Sequence, residues 1–393
     1  MRLARFNGFL QSRWPLAVLA VLVLAQGAAA GAASPAPIKI GLHAPLTGFA
    51  AADGESVLHS VQIAVDQVNS QGGVLGRPIE LVVHDDRADA REGVAVAQRM
   101  IERDRVVAVV GGSYSGPSRA AAPLYQAARI PMVVGYAVHP DITRAGEFVY
   151  RIGFLGQVEG AGAAEAAATL LNARRVVMFT MDNDFGRALA EGFKARAARR
   201  NLQILEEFIY PLGEQNFASY LVRTRQLNPD LVFASGYYNE AAQLVRQARQ
   251  VGLAATILGE EGFDTPKFIE IAGPAAEGVY IVTNLNRDDP RPIVRNFMEA
   301  YRARYRTEPD MVGASNYDAF MVLVDAIRRA GSTDGEAIRR ALAETREFEG
   351  LTGRLTFTPG RETVKPVQVQ VVRGGVFRHA GVITDPEVIT PPW

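Results

Sequence analysis

The sequence predicts an α/β protein built on parallel sheets that are covered on both faces. Three observations carry that expectation. Short β-rich runs alternate with helical segments of 10–15 residues over most of the chain. The length of 393 residues, with 48% of them hydrophobic, suits two domains with cores of ordinary size. After Gly350 the period changes to strand-like runs joined by turns such as Arg373-Gly374-Gly375, so the α/β part should end in a small antiparallel addition.

The elements follow in order. Ile38–Leu42 reads as a strand, and a loop from Pro45 to Gly54 leads into a helix over Val57–Asn69, with Val57, Val61, Ala64, Val65 and Val68 on one face. The glycines of Asn69–Gly76 stop it. Ile79–Val83 (strand), Ala90–Arg103 (helix), Val106–Val110 (strand), Ser118–Ala128 (helix) and Pro131–Val134 (strand) come next. The alternation resumes with helices at Glu159–Leu171, Phe185–Arg200, Phe217–Gln226 and Glu240–Val251. Between and after them lie strands at Val176–Thr180, Ile204–Tyr210, Leu231–Ser235 and Ile257–Leu258. Val279–Thr283 is a further strand, and Pro292–Tyr305, Tyr317–Ala330 and Glu336–Glu344 are helical. Leu355–Phe357, Val367–Val372 and Val376–Phe377 are the closing strands.

The N-terminus reads as an address. Arg2, Arg5 and Arg13 precede the apolar run Trp14–Ala25, and small residues follow with an A-x-A-like cut at Ala28-Ala29-Ala30. That order is a secretory signal peptide, placed at 1–30, and its removal would leave a mildly acidic chain. No later run approaches the roughly 18 apolar residues of a spanning helix. The expected compartment is therefore the bacterial periplasm. The sequence holds no cysteine, which excludes disulfides, Cys-ligated zinc, iron–sulfur clusters, a thiol nucleophile and a lipid-anchored export signal. Forty-two basic residues balance 42 acidic ones, so no basic excess points to nucleic acid.

In sheets of this kind ligands bind at the carboxyl ends of strands, where helix N-termini also point. Three strand-to-helix loops stand out. Gly111–Ser118 (GGSYSGPS) offers two glycines and three serines before a helix, and a hydroxyl such as Ser115 beside free N–H groups is a seat for a carboxylate, or else a simple cap. Ser235–Glu240 (SGYYNE) ends one strand with adjacent tyrosines, and Gly259–Gly262 (GEEG) ends the next with paired acids. A tyrosine face and a carboxylate on neighbouring strands could hold an ammonium group. Enzyme signatures are missing from the sequence: the five histidines show no metal-ligand spacing, and there is no phosphate loop or G-x-S-x-G elbow. Asp85-Asp86 reads as a surface turn, and Asp182-Asn183-Asp184 as a helix cap.

The order of motifs resembles the branched-chain amino-acid type of periplasmic solute-binding protein, the receptor of an ABC importer. The segments that carry the resemblance run from IKIGLHAPLTGFAAADG (Ile38–Gly54) and AVDQVNSQGGVLGRPIELVVHDD (Ala64–Asp86) through VVGGSYSGPSRAAAPLYQAARIPMV (Val109–Val133), FVYRIGF (Phe148–Phe154) and DNDFGRALAEGF (Asp182–Phe193). They continue with GYYNEAAQLVRQARQVGL (Gly236–Leu253), NYDAFMVLVDAIRRAGSTDGEAIRRAL (Asn316–Leu342) and FEGLTGRLTFTPGRE (Phe348–Glu362). The resemblance implies the type I periplasmic-binding-protein fold: two Rossmann-like lobes with parallel central sheets, joined by three hinge crossings near 155, 284 and 362. Lobe 1 would comprise 36–155 and 285–362, and lobe 2 would comprise 156–284 and 363–393.

The resemblance also implies a site. Ser115 matches a carboxylate-binding serine, Tyr237 a pocket tyrosine, and Glu261 the acid that holds an α-ammonium. Tyr136, Ala137 and Val138 match the stretch whose backbone binds the amino-acid head. Three positions depart from the pattern: Val138 lacks the usual hydroxyl, Tyr136 replaces a small residue, and Asp53 stands where an aromatic contact is common. The implied solute is an ordinary amino acid, a flat or aromatic acid, or an amide or urea-like molecule. No cofactor is implied. The expected partners are that solute and the permease subunits of the importer, with no nucleic acid and the chain a monomer. A ligand-sensing partner of a signalling system, or an amide hydrolase, would use the same cleft differently.

Overall fold

The computed structural model describes residues 35–112 and 114–392, so the signal peptide expected at 1–30 lies outside the described residues. The first elements are β1 (Ile38–Ala44), α1 (Ala51–Ser70), β2 (Ile79–Asp85), α2 (Ala90–Arg99), β3 (Ala108–Gly111), α3 (Ser115–Ala128), β4 (Met132–Val134), α4 (Asp141–Arg144) and β5 (Val149–Arg151). Their strands form one parallel sheet in the order β2-β1-β3-β4-β5. Strands β3, β4 and β5 are buried along their whole length, and β1 is buried except at Lys39, as strands covered by helices on both faces must be.

The chain then builds α5 (Gly156–Thr169), β6 (Arg175–Met181), α6 (Asp184–Arg199), β7 (Gln203–Tyr210), α7 (Ala218–Leu227), β8 (Leu231–Ser235), α8 (Tyr238–Gln250), β9 (Thr256–Gly259), α9 (Pro266–Ala272) and β10 (Tyr280–Thr283). It returns to the first sheet with α10 (Pro292–Tyr305), α11 (Met311–Ala330) and α12 (Gly335–Ala343), where α10 and α11 pack on α1. The hairpin of β11 (Phe348–Gly350) and β12 (Gly353–Leu355) follows. Finally β13 (Val367–Arg373), β14 (Val376–Ile383) and α13 (Pro386–Ile389) rejoin the second sheet, whose order is β14-β13-β10-β9-β8-β6-β7. The chain thus passes between the sheets after β5, after β10 and after β12.

Local chemistry sets the boundaries. Asp89, Asn183, Asp310 and Asp334 cap α2, α6, α11 and α12 by accepting backbone N–H groups of the first turn. At Gly73, φ is 77° and a Cβ would sit 2.0 Å from the Arg77 carbonyl oxygen, so only glycine closes this turn after α1. Gly374 and Gly375 both have positive φ (61° and 75°) between the paired residues Arg373 and Val376. This is the two-residue hairpin turn that the sequence predicts.

The antiparallel addition is not one module. β13 and β14 extend the second sheet, with β13 antiparallel to β10, whereas β11–β12 stands as a separate hairpin. The predicted strand Leu355–Phe357 is realised as Gly353–Leu355, with a single bridge from Phe357 to Thr363. The end of α2 widens into a π turn at Met100–Asp104, closed by Arg105 at φ 56°, which delays β3 to Ala108. Asp85-Asp86 is not a surface turn. Asp86 is fully buried against His43 Nδ1 at 3.0 Å, while Asp85 accepts the Leu46 N–H at 2.9 Å.

Two of the three apolar clusters belong to one sheet each. The third is continuous between the sheets, because Tyr114, Tyr136, Phe185 and Tyr237 join their facing sides. That aromatic junction is where the strand ends of both sheets meet.

Candidate functional site

Ser115 begins α3 instead of preceding it. The helix starts three residues earlier than the sequence predicts, with Tyr114 in the extended capping position and no side-chain cap. Ser115 is buried, and its Oγ accepts the Val138 N–H at 3.3 Å, which ties the α3 N-terminus to the loop after β4. Ala137 in that loop has both backbone groups engaged: its N–H on Gly112 O at 2.8 Å, and its carbonyl on Arg151 Nη1 at 2.6 Å. Arg151 also donates to His139 O at 2.7 Å and pairs with Glu362 at 2.9 Å, both side chains being out of water. The loop that carries Tyr136, Ala137 and Val138 is therefore fixed by a cation anchored in the third crossing.

Four rings meet at the junction. Tyr237 lies 4.6 Å from Tyr114 and stacks on Phe185 at 4.9 Å. Tyr136 stands edge-on to Tyr114 at 5.9 Å and to Phe185 at 5.8 Å. Phe49 closes the outer side, 5.7 Å from Tyr114. Such geometries favour edge and offset contacts and hold the rings in register. The Phe49 carbonyl accepts two donors from the second lobe, Tyr238 Oη at 2.7 Å and Asn239 Nδ2 at 3.0 Å.

Acids flank the rings. Asp53, in the first turn of α1, accepts the Tyr114 hydroxyl on Oδ2 at 2.7 Å, while its buried Oδ1 has no partner. Burial, then the Asp310 charge, pushes this carboxyl up to about 8, against the Tyr114 hydrogen bond. On the other side, Glu261 opens the 3-10 turn Glu261–Phe263 after β9, is 1% exposed, and its carboxyl has no side-chain hydrogen-bond partner but the Glu159 carboxyl. Its N–H donates to Glu159 Oε1 at 2.9 Å, and Glu159 Oε2 is also buried with no other partner. Burial first, then the neighbouring acids, holds both Glu159 and Glu261 well above the usual carboxylate range.

Glu260 differs from Glu261 because it is satisfied. It accepts Gly236 N–H at 2.9 Å and Gly262 N–H at 2.7 Å, and so braces the Tyr237 loop against its own. Lys365 is buried behind these acids, 3.1 Å from Thr352 Oγ1, and burial pushes it down to about 8. Tyr136 lies between the two acid groups: burial raises its hydroxyl first, then Tyr114, Glu260, Glu261 and Asp53.

The structure thus brings Ser115, Tyr136, Ala137, Val138, Tyr237, Glu261 and Asp53 to one junction. Sequence reasoning missed Phe49, Tyr114, Phe185, Glu159, Arg151 and Lys365 there. Two of them carried a signal. Phe185 follows the cap Asn183, and Lys365 is one of only four lysines in an arginine-rich chain. No group of three or more metal-ligating side chains is assembled among the described residues.

A family model described as "Periplasmic binding protein" matches residues 37–375. The chain belongs to the periplasmic binding protein family. That family is one of solute-binding proteins, not of enzymes. Among this binding protein's relatives is a Leu/Ile/Val-binding protein of Rhizobium johnstonii, 30% identical over 325 residues, or 82% of this chain and 88% of the relative. The solved leucine-binding protein of Thermotoga maritima superposes with a TM-score of 0.84 at 35% identity, covering 89% of this chain and 99% of that one. A Streptococcus pneumoniae branched-chain amino-acid transporter component solved with isoleucine gives 0.83 at 28% identity, covering 88% and 99%. The two-lobed type I fold of this binding protein agrees with both.

Proposed function

We propose that this binding protein captures a small amino acid, or a related carboxylate or amide, between its lobes and delivers it unaltered to the permease subunits of an ABC importer. The lobes are taken as 36–155 with 285–362, and 156–284 with 363–393. The working form is a monomer in the periplasm, reached through a cleaved signal peptide. Glu261 carries the reading. A buried carboxyl whose only side-chain partner is another acid is costly, and the cost is offset when a solute's ammonium group arrives from the opposite lobe. In this reading Ser115 and the Val138 N–H take the solute's polar head, Tyr136 and Tyr237 cover its body, and Asp53 meets its far end. Ala137 sets the loop's position. The named relatives, which bind branched-chain amino acids, support the solute class.

Closure follows because only the closed form touches the solute from both sides, so binding shifts the population towards it. The test is a thermal-shift screen over amino acids, aromatic acids and amides, then calorimetry of the best ligand on wild type and Glu261→Gln. A ligand at 100 times its Kd adds about 2.7 kcal/mol of stability. Loss of the ammonium partner should weaken binding by about 30-fold or more. Unchanged affinity in Glu261→Gln removes the ammonium role, and release of ammonia from an amide would turn the reading towards hydrolysis.

A further inference from the structure

The buried acceptors gathered around the aromatic junction outnumber the donors that the chain offers them. Asp53, Glu159, Glu260 and Glu261 all converge on it, each buried to 4% exposure or less. Only Glu260 has both carboxyl oxygens hydrogen-bonded to the chain. Asp53 Oδ1 is buried and unpartnered, and Glu159 Oε2 and both oxygens of Glu261 meet no donor apart from each other's carboxyl. The cations nearby do not supply the difference. Arg151 is taken by Glu362 and by the carbonyls of Ala137 and His139. Arg287 is taken by Asp264. Lys365 remains, one ammonium hydrogen-bonded to Thr352 and shared electrostatically among Asp318, Glu261 and Glu159.

On the polar-head side the free donors are few, the Tyr136 hydroxyl being buried and unpartnered. Ser115 Oγ already accepts the Val138 N–H, and Val138 brings no hydroxyl of its own. The acceptors short of donors lie on both lobes, Asp53 on one and Glu159 and Glu261 on the other, with the faces of Tyr114, Tyr136, Phe185 and Tyr237 between them. Acceptors at both ends of an aromatic lining suit a solute with N–H donors and positive charge.

Resting on the capture reading above, we propose that the solute is a net organic cation with N–H donors, an amine or amidine whose positive charge exceeds its carboxylate charge. We propose further that Glu159 is a specificity-determining residue, which adds a second carboxyl to Glu261 at the cationic end. Glu159 receives the Glu261 N–H on one oxygen, and its carboxyl shares a side-chain hydrogen bond with that of Glu261, which a solute's N–H donors would replace. A glutamine there keeps the first bond through its carbonyl oxygen and removes the charge.

The experiment uses two matched series on the purified mature protein: leucinamide, leucine and 4-methylpentanoate, and phenylalaninamide, phenylalanine and 3-phenylpropanoate. L-Arginine and putrescine are run alongside. Thermal shift ranks them, and calorimetry gives Kd for those that respond. The expected order within a responding series is amide cation, then zwitterion, then carboxylate. Where only arginine or putrescine responds, the net-cation class is equally supported. In Glu159→Gln the tightest cation should lose about tenfold or more in affinity, while the melting temperature of the solute-free variant stays at or above that of wild type. Tighter binding of a zwitterion or carboxylate than of its matched cation overturns the charge assignment and leaves capture standing. No response to any of the eight compounds overturns both. Unchanged cation affinity in Glu159→Gln removes that residue from the site while the class assignment is judged by the series.

Discussion

Replacing Arg151 by methionine should cost more than any change on the surface, and the structure fixes the size of the loss. The guanidinium is fully buried at the end of β5. It holds Glu362 at 2.9 Å and the carbonyls of Ala137 and His139 at 2.6 and 2.7 Å. Removing one member of a buried ion pair leaves the other as an uncompensated charge, at about 3–5 kcal/mol. Glu362 would keep the Thr143 hydroxyl at 2.5 Å, which softens the loss, while the two orphaned carbonyls add to it. A figure of about 4 kcal/mol follows, and at about 2 °C per kcal/mol for a large domain the melting temperature should drop by about 8 °C. Differential scanning calorimetry of the solute-free protein measures this. The double variant Arg151→Met with Glu362→Leu should recover much of the loss, because apolar replacement of a whole buried pair is often neutral. A single variant that melts within 2 °C of wild type, or a double variant no better than the single, refutes the account.

Further outcomes follow from the same contacts. Tyr238→Phe and Asn239→Ala each remove one donor from the Phe49 carbonyl, at about 1 kcal/mol apiece. Each should speed solute release several-fold in stopped-flow, with little change in melting temperature. The pH profile has a definite sign. Asp53 is held at about 8, above its ordinary 3.8, so the native state binds that proton more tightly. Its stabilisation is complete below about pH 3.8 and is lost as pH rises through 8. Glu159, Glu260 and Glu261 are raised as well and act in the same direction. The solute-free protein should therefore melt lower at pH 8 than at pH 5, and Asp53→Asn should flatten part of that slope. Lys365, pushed down from 10.5 to about 8, acts oppositely in a separate window, adding stability as pH rises from 8 to 10.5.

The strand–helix alternation and the parallel sheets it implies were legible because buried strands and their covering helices repeat a pattern long enough to read. What escaped was short or non-local. The three-residue strand Val149–Arg151 has too few residues for a period, and α9 hides behind Thr265-Pro266, where a cap and an N1 proline start a helix of only seven residues. Ser115, Tyr237 and Glu261 could be singled out because each ends a strand or begins a helix in a loop of distinctive composition. Glu159 could not, and the rarity of lysine marked Lys365 without showing where it lies. Glu159 sits in an alanine- and glycine-rich helix where an acid reads as a solvated face, and Lys365 meets it only because the third crossing returns beside the first. Asp86 was misread for a related reason: its partner His43 lies 43 residues away, on a neighbouring strand.

The same comparison separates structural acids from solute-facing ones. Asp318 is buried and accepts Leu351 N–H, Thr352 N–H and the Thr352 hydroxyl, so its charge is compensated by the chain itself. Asp310 accepts the Ser56 hydroxyl and caps α11. Glu260 is braced by two backbone donors. Asp53, Glu159 and Glu261 are buried to a similar degree but leave oxygens short of donors. Glu240 also keeps one buried oxygen unpartnered, but Asp53, Glu159 and Glu261 stand together around the rings, and such a cluster is expected where function takes precedence over stability. The destabilisation is local and reversible by whatever donors the solute brings. Saturating solute should therefore raise the melting temperature of wild type more than that of Glu261→Gln, even though the variant starts from the more stable unliganded state.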